Sequence, residues 1–308
     1  MRELLIKCLL FELLLLGSVL AVFMLEGGYS DQFYLRFTTP KQASLILGTS
    51  RAAQGVMPAI LNKELGRLTK HPFYNYAFTL ANSPYGDAYL SSIQRKVANS
   101  NDGIFILAVD PWSVATSDSS LEDMDLPEKR NFLANVRHVS INPNLEYMLN
   151  FYPHLYANII GSRLRSRHHV LHDDGWLEIN VAMNSAAQTS RMHKTINRYR
   201  KKDGNFHISR VRLDYLCRTI EFLKRHGRVF LIRIPIGKEM RTLEETAMPD
   251  FTNKMDSISL SYGVPFLDMS TEIEGLRFTD VHHLHKTSSA RYSMVLAKVL
   301  KTYLVEVK

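Results

Sequence analysis

Runs of consecutive apolar residues alternate with stretches of helical periodicity along most of the chain. Residues 43–48 (ASLILG), 104–109 (IFILAV) and 229–234 (VFLIRI) are strand-length apolar runs, and 73–78 and 264–267 are shorter strand candidates. Helical spacing covers residues 57–68, 85–97, 211–226, part of 243–262, and 287–304. Asp110-Pro111 and Pro235 stop their strands, because proline cannot donate to a ladder. Gly227 reads as the residue that ends the preceding helix. Strands that are apolar throughout and separated by helices predict an α/β fold, with a parallel sheet covered on both faces.

Two regions break this alternation. Residues 8–25 carry one charge, Glu12, and with residues 4–7 form a stretch long enough to cross a bilayer, for which about 20 residues suffice. Arg2 and Lys7 precede it and Glu26 and Asp31 follow, so the positive-inside rule puts the N-terminus in the cytoplasm and the remaining chain outside. No small-x-small site precedes Glu26, which favours an anchor over a cleaved signal; a buried core helix is the third reading. Glu12 either sits at the inner interface with Lys7 or marks a partner helix in the membrane. The second break spans about 113–207, rich in His, Asn, Arg and aromatics, with helical pieces at 132–136 and 145–149 and the segment DDGWLEIN at 173–180. The expected organisation is an anchor at 1–27, a connector at 28–41, and one α/β domain at 42–308 with an insertion or cap at about 113–207.

Composition adds little to this. Of 308 residues, 45% are apolar and 22% charged, which excludes a disordered chain. Cys8 lies in the apolar run and Cys217 in a helix, so neither a disulfide framework nor a cysteine metal site is expected. The net charge of +8 is scattered, apart from residues 191–202, which read as a solvated helix face. No nucleic-acid-binding motif accompanies it, and the excess suits an anionic envelope surface.

Two segments carry candidate chemistry. In LILGTSRAAQG (45–55) a small turn follows the first strand and leads into a helix. That places Ser50 at the carboxyl edge of the sheet beside backbone N–H groups able to bind an oxyanion. In FTDVHHLHKTSSARYS (278–293), Asp280 and His283 stand one turn apart, a spacing that lets a carboxylate orient an imidazole. Each has a plainer account, since Ser50 or Asp280 could simply cap a helix. A metal site from Asp280, His282, His283 and His285 is a further alternative.

A small-residue turn ending in serine after the first strand, with Asp-x-x-His before the last helix, resembles the SGNH (GDSL-like) hydrolase pattern. The order GTSRAAQG, VDPW, DGWLE, DVHHL looks like membrane-anchored, envelope-associated members, distantly like the D-alanyl transfer protein of teichoic acid modification. The resemblance covers roughly residues 41–304. It implies a flavodoxin-like three-layer α/β/α fold, with Ser50 as nucleophile, His283 as general base and then acid, and Asp280 fixing the imidazole tautomer. In that family a glycine after the second strand and an asparagine after the third help form the oxyanion hole. Here Asp110 stands where the asparagine is expected, and no glycine aligns before Gly86. The N–H groups of Ser50 and Arg51, or a protonated Asp110, would have to serve. The substrate-contact candidates are Arg51, Asn82, Asp110, Trp112 and Arg233. Arg51 binds an anionic group or an ion-pair partner, Asp110 is a site residue or a strand-end cap, and Trp112 is a platform or core. Arg233 points into the site or into a buried ion pair, and Asp173, Asp174 and Trp176 line a cap or form a turn. The implied activity is a serine esterase or O-acyltransferase, without metal or cofactor, acting on an acylated envelope glycan or surface polymer. The rival is a non-catalytic binding or assembly component with the same fold.

Overall fold

The structure is a computed structural model that describes residues 1–117, 128, 131–151, 155–164, 168–203, 206–271 and 274–305. Parts of the expected insertion (118–127, 129–130, 152–154, 165–167 and 204–205) lie outside the described residues. The strands in chain order are β1 (Ser44–Leu47), β2 (Phe73–Asn75), β3 (Gly103–Ala108), β4 (Ala115–Thr116), β5 (His169–Leu171), β6 (Leu177–Ile179), β7 (His207–Ile208), β8 (Gly227–Arg233) and β9 (Phe266–Asp268). Five of them form a parallel sheet in the order β2-β1-β3-β8-β9. Antiparallel pairs β4–β7 and β5–β6 stand apart from it.

Alternate residues of the central strands feed two cores. Leu45, Leu47, Phe105, Leu107, Val229 and Leu231 pack with helices Asp87–Lys96, Arg210–Lys224 and Phe251–Tyr262. Ile46, Ile104, Ile106, Ala108, Phe230 and Ile232 pack on the other face with helices Ser50–Gly55, Pro58–Leu65 and Lys286–Val305. Both faces are therefore covered, which is why these strands read as unbroken apolar runs.

Three local expectations differ from the structure. Gly227 opens β8 at φ +155° and does not end the preceding helix. A Cβ there would lie 2.0 Å from the Gly103 carbonyl oxygen, so close strand pairing demands the glycine. The helical stretch expected within residues 243–262 is two helices, Lys238–Ala247 and Phe251–Tyr262, separated at Met248-Pro249-Asp250. β2 stops at Asn75, whose side-chain amide turns to donate to the carbonyls of Ala52 and Val56 at 2.9 and 3.0 Å. The Ala52 carbonyl also accepts the Val56 N–H, and Val56 is the residue that caps helix Ser50–Gly55, so Asn75 ties the end of that helix to β2.

The N-terminal helix, Arg2–Met24, has 23 residues and a length of about 34 Å at 1.5 Å per residue, enough to cross a hydrocarbon core of roughly 30 Å. Only its last turns meet the domain, with Phe23 buried and Val19 and Val22 packed against the core. The connector is no loose tether. Tyr34 and Phe37 are buried, and the buried Arg36 guanidinium donates to the carbonyls of Asn75, Gln32 and Gly175. Lys96, also buried, donates from Nζ to both oxygens of Thr39 and to the Val139 carbonyl at 2.6–2.8 Å.

Between β1 and helix Ser50–Gly55 the chain turns through Gly48 at φ +135°. A Cβ at that position would lie 2.8 Å from both Cβ and the carbonyl oxygen of Ala108. Gly48→Ala is therefore expected to cost about 1–3 kcal/mol in backbone strain alone. A urea-denaturation series that leaves the midpoint unchanged would refute this account of the turn.

Candidate active site

In the sheet order, the chain moves from β1 to β2 on one side and then returns to β3 on the other. The crevice at such a reversal, outside the carboxyl ends of the strands, is the usual ligand site of open parallel sheets. Ser50 follows β1 as the first residue of its helix, and Asp110-Pro111-Trp112 follows β3. The third component arrives from residue 277 onward. Phe278 and Leu284 form an antiparallel bridge, the Thr279 N–H donates to the His283 carbonyl, and the His285 N–H donates to that of Arg277. Asp280 to His283 make the tip of this small hairpin.

At the tip, Asp280 Oδ1 accepts the backbone N–H groups of His282 and His283, each at 2.9 Å. Asp280 Oδ2 lies 2.9 Å from His283 Nδ1, and His283 Nε2 lies 2.8 Å from Ser50 Oγ. Burial pushes the Asp280 carboxyl upward, but His283 and His282 more than reverse this and hold it well below the usual carboxylate range. With Asp280 ionised, the proton of a neutral His283 belongs on Nδ1, donated to Asp280. Nε2 is then left to accept the Ser50 hydroxyl.

Ser50 and His283 open onto a cavity of about 560 Å³. Trp112, Tyr199 and Phe206 give it an aromatic wall, with ring centroids of Trp112 4.7 Å from Tyr199 and 5.7 Å from Phe206. Thr79 and Leu80 from the loop after β2, Arg212, His282 and the exposed Arg198 are also among its lining residues.

The other sequence candidates are placed differently. Trp112 reaches the cavity, but Arg51, Asn82, Asp110 and Arg233 do not line it. Asp110 is the strand-end cap: Oδ1 accepts the Ser113 N–H and Oδ2 accepts the Thr49 hydroxyl, each at 3.1 Å. Asn82 is half-buried, with its carbonyl accepting from the Asn131 amide at 2.9 Å. Arg51 and Arg233 point into a buried ion-pair network whose centre, Glu244, gave no sequence signal. Glu244 is fully buried; Oε1 accepts from Arg51 at 2.5 Å and from the Trp112 indole at 3.0 Å, and Oε2 accepts from Arg233 at 3.1 Å. Burial would lower the Arg51 pKa, but Glu244 and Asp110 overcome this and raise it, so the guanidinium stays charged.

The remaining readings divide in the same way. Asp173, Asp174 and Trp176 belong to the β5–β6 turn, with Gly175 at φ +82°. The Trp176 indole donates to the Gln54 carbonyl at 2.8 Å, so this turn braces the serine helix and does not border the cavity. Residues 191–202 are not a solvated face throughout. They lie in helix Ser185–Asp203, which buries Thr195, Ile196 and Tyr199 and exposes Lys194 and Arg198. From that helix Gln188 and Arg191 donate to the carbonyls of Phe278 and Thr279, each at 2.7 Å, and thereby hold the histidine hairpin.

His282 is buried beside His283, ring centroids 4.0 Å apart, with Nδ1 3.4 Å from Arg51 and Nε2 3.4 Å from Asp280. Burial, aided by the neighbouring charges of His283 and Arg51, pushes it down to about 3. Ligand atoms of Asp280, His282 and His283 lie within 4.8 Å of one another, close enough for a metal. The same Asp280 and His283 atoms are engaged in the chain to Ser50. Comparison with protein-family models yields no match, and none arises among curated protein sequences.

Two outcomes follow from this electrostatic arrangement. Glu244→Ala leaves two buried guanidinium groups without their shared carboxylate and is expected to cost about 3–5 kcal/mol in chemical denaturation; a loss below about 1 kcal/mol would contradict the network. For His282, the unfolded chain binds a proton below an ordinary pKa of 6.5, and the folded chain only near 3. Stability is therefore lost as the pH falls from 6.5 towards 3, with His169 and His285, also depressed, acting in the same direction. The urea midpoint should drop between pH ~7 and pH ~4.5, and drop less in His282→Gln. An equal drop in both proteins would exclude His282 as a source.

Proposed function

We propose that this protein is a single-pass, membrane-anchored serine esterase or O-acyltransferase of the SGNH type, acting on acyl groups of an envelope glycan or surface polymer. The observation that carries the reading is the continuous chain from Ser50 Oγ to His283 Nε2 at 2.8 Å and from His283 Nδ1 to Asp280 Oδ2 at 2.9 Å, opening onto a cavity. The sheet order, counted by its own strands as 2-1-3-4-5, is that of flavodoxin-like folds and supports the same class. Helix Ser185–Asp203 and Phe206, which wall the cavity, are assigned the role of a cap.

In this reading His283 removes the Ser50 proton as the hydroxyl oxygen attacks the ester carbonyl. The tetrahedral oxyanion rests against the first-turn N–H groups of Ser50 and Arg51, which have no carbonyl four residues earlier in the helix. Collapse transfers the proton from His283 to the departing alcohol and leaves an acyl-serine. Water, or an acceptor hydroxyl of a second glycan, repeats the sequence in reverse and frees Ser50. Asp110 would oppose an oxyanion if it faced the cavity; its bonds to Thr49 and Ser113 direct it elsewhere and weaken the case for a non-catalytic protein.

The anchor is helix Arg2–Met24, and the positive charges before it favour the domain facing away from the cytoplasm. The full-length protein in detergent is expected to react with a fluorophosphonate probe at Ser50 and to hydrolyse small acetyl esters. Ser50→Ala should abolish labelling and reduce hydrolysis at least about 10³-fold. A folded wild-type protein that neither labels nor turns over acetyl esters would overturn the assignment.

A further inference from the structure

Among the described residues, four large apolar side chains exposed outside the N-terminal helix fall within residues 141–160, while Leu260, Met294 and Val305 are scattered elsewhere. Ile141, Leu145 and Leu149 follow one another at four-residue intervals, and Ile160 comes one short helix later. Leu149 is 72% exposed, a degree of exposure usual for lysine and costly for leucine in water. Helix Leu145–Phe151 is apolar on two sides, with Tyr147 and Met148 buried in the core and Leu145 and Leu149 turned outward.

The segments that carry these side chains are tied to the N-terminal helix and its connector. The connector leaving the N-terminal helix is bonded to the same segment at three points. The Tyr147 hydroxyl donates to the Asp31 carboxylate at 3.1 Å, the Asn144 N–H donates to the Tyr34 hydroxyl at 3.2 Å, and the Ile141 N–H donates to the Phe37 carbonyl at 3.3 Å. Next along the chain, helix Leu155–Leu164 lies against the N-terminal helix itself, and its Ile159 shares a core cluster with Phe23. The exposed leucines and isoleucines thus lie on segments tied to the connector and to the N-terminal helix, whose last residue, Met24, and its neighbour Leu25 are exposed too. Exposed apolar side chains grouped in this way mark an interaction site, and those carried by segments packed on a spanning helix would lie near lipid.

We propose that Ile141, Leu145, Leu149 and Ile160 form a second membrane contact, seated in the headgroup and acyl boundary of the leaflet from which the domain emerges. The contact rests on the anchor reading of helix Arg2–Met24 and is independent of the chemistry at Ser50. It fixes the orientation of the domain on the bilayer, which a single helix crossing at one point does not do.

The test uses the full-length protein in nanodiscs of phosphatidylcholine with or without bromine on the acyl chains. Leu149→Trp and Ile160→Trp are compared with Leu260→Trp, which replaces an exposed leucine in a different helix, with the emission of native Trp112 and Trp176 subtracted from wild-type. Bromine is expected to quench the added tryptophan at least about twofold at 149 and 160, and to leave 260 unchanged. Emission at 149 and 160 that is unquenched overturns the proposal. If it is also blue-shifted and the nanodiscs hold two chains, a second copy covers the face. Extraction of the protein by alkaline carbonate without detergent would refute the anchor separately, whatever the quenching.

Discussion

The arrangement depends on one carboxylate. Asp280 uses one oxygen to accept two N–H groups of its own loop and the other to meet His283, so a single side chain both shapes the hairpin tip and aims the imidazole. Ser50 lies 233 residues away from His283 in sequence, and the sheet closes that separation to 2.8 Å. Because backbone donors fix the carboxylate, His283 does not have to pay for its orientation when it meets the serine. Preorganisation of this kind is what the proposed proton transfer would require.

Around this chain the interior is more highly charged than composition alone indicates. Glu244 receives two arginines and an indole, and so couples the residue after Ser50, the wall of the cavity and the end of β8. Such clusters rarely add stability over an apolar core, but they tolerate few alternative packings. The wall tryptophan is fixed by its indole N–H as well as by its faces. Helix Ser185–Asp203 acts from the opposite side, holding the hairpin through two carbonyls while lending Tyr199 to the cavity.

Much of this was legible from residue pattern. Apolar runs on both faces predicted the parallel sheet, while the chain of three was implied by the resemblance to SGNH hydrolases that the turn before Thr49-Ser50 and Asp280-x-x-His283 carry. What stayed hidden has a common physical cause. Glu244 sits in a helix of ordinary amphipathic appearance, and nothing local distinguishes a buried glutamate there from a solvated one. The basic segment at 191–202 carries charges at half of its positions, yet Thr195, Ile196 and Tyr199 fall on one side and are buried. Arg51 and Arg233 could be read from sequence either as ligand contacts or as ion pairs, and only the three-dimensional position of their acid decides. Partnerships across the fold leave no periodicity behind.

The packing of the linker segment limits how this molecule can be divided. Phe37 stacks on Phe78 and Tyr147, and Arg36 fastens β2 to the β5–β6 turn. A protease cutting between the N-terminal helix and β1 would strip structural parts from the interior, beyond severing a leash. Release of an intact globular portion is thus disfavoured by construction, and the candidate site and the apolar N-terminal helix are joined as a single folding unit.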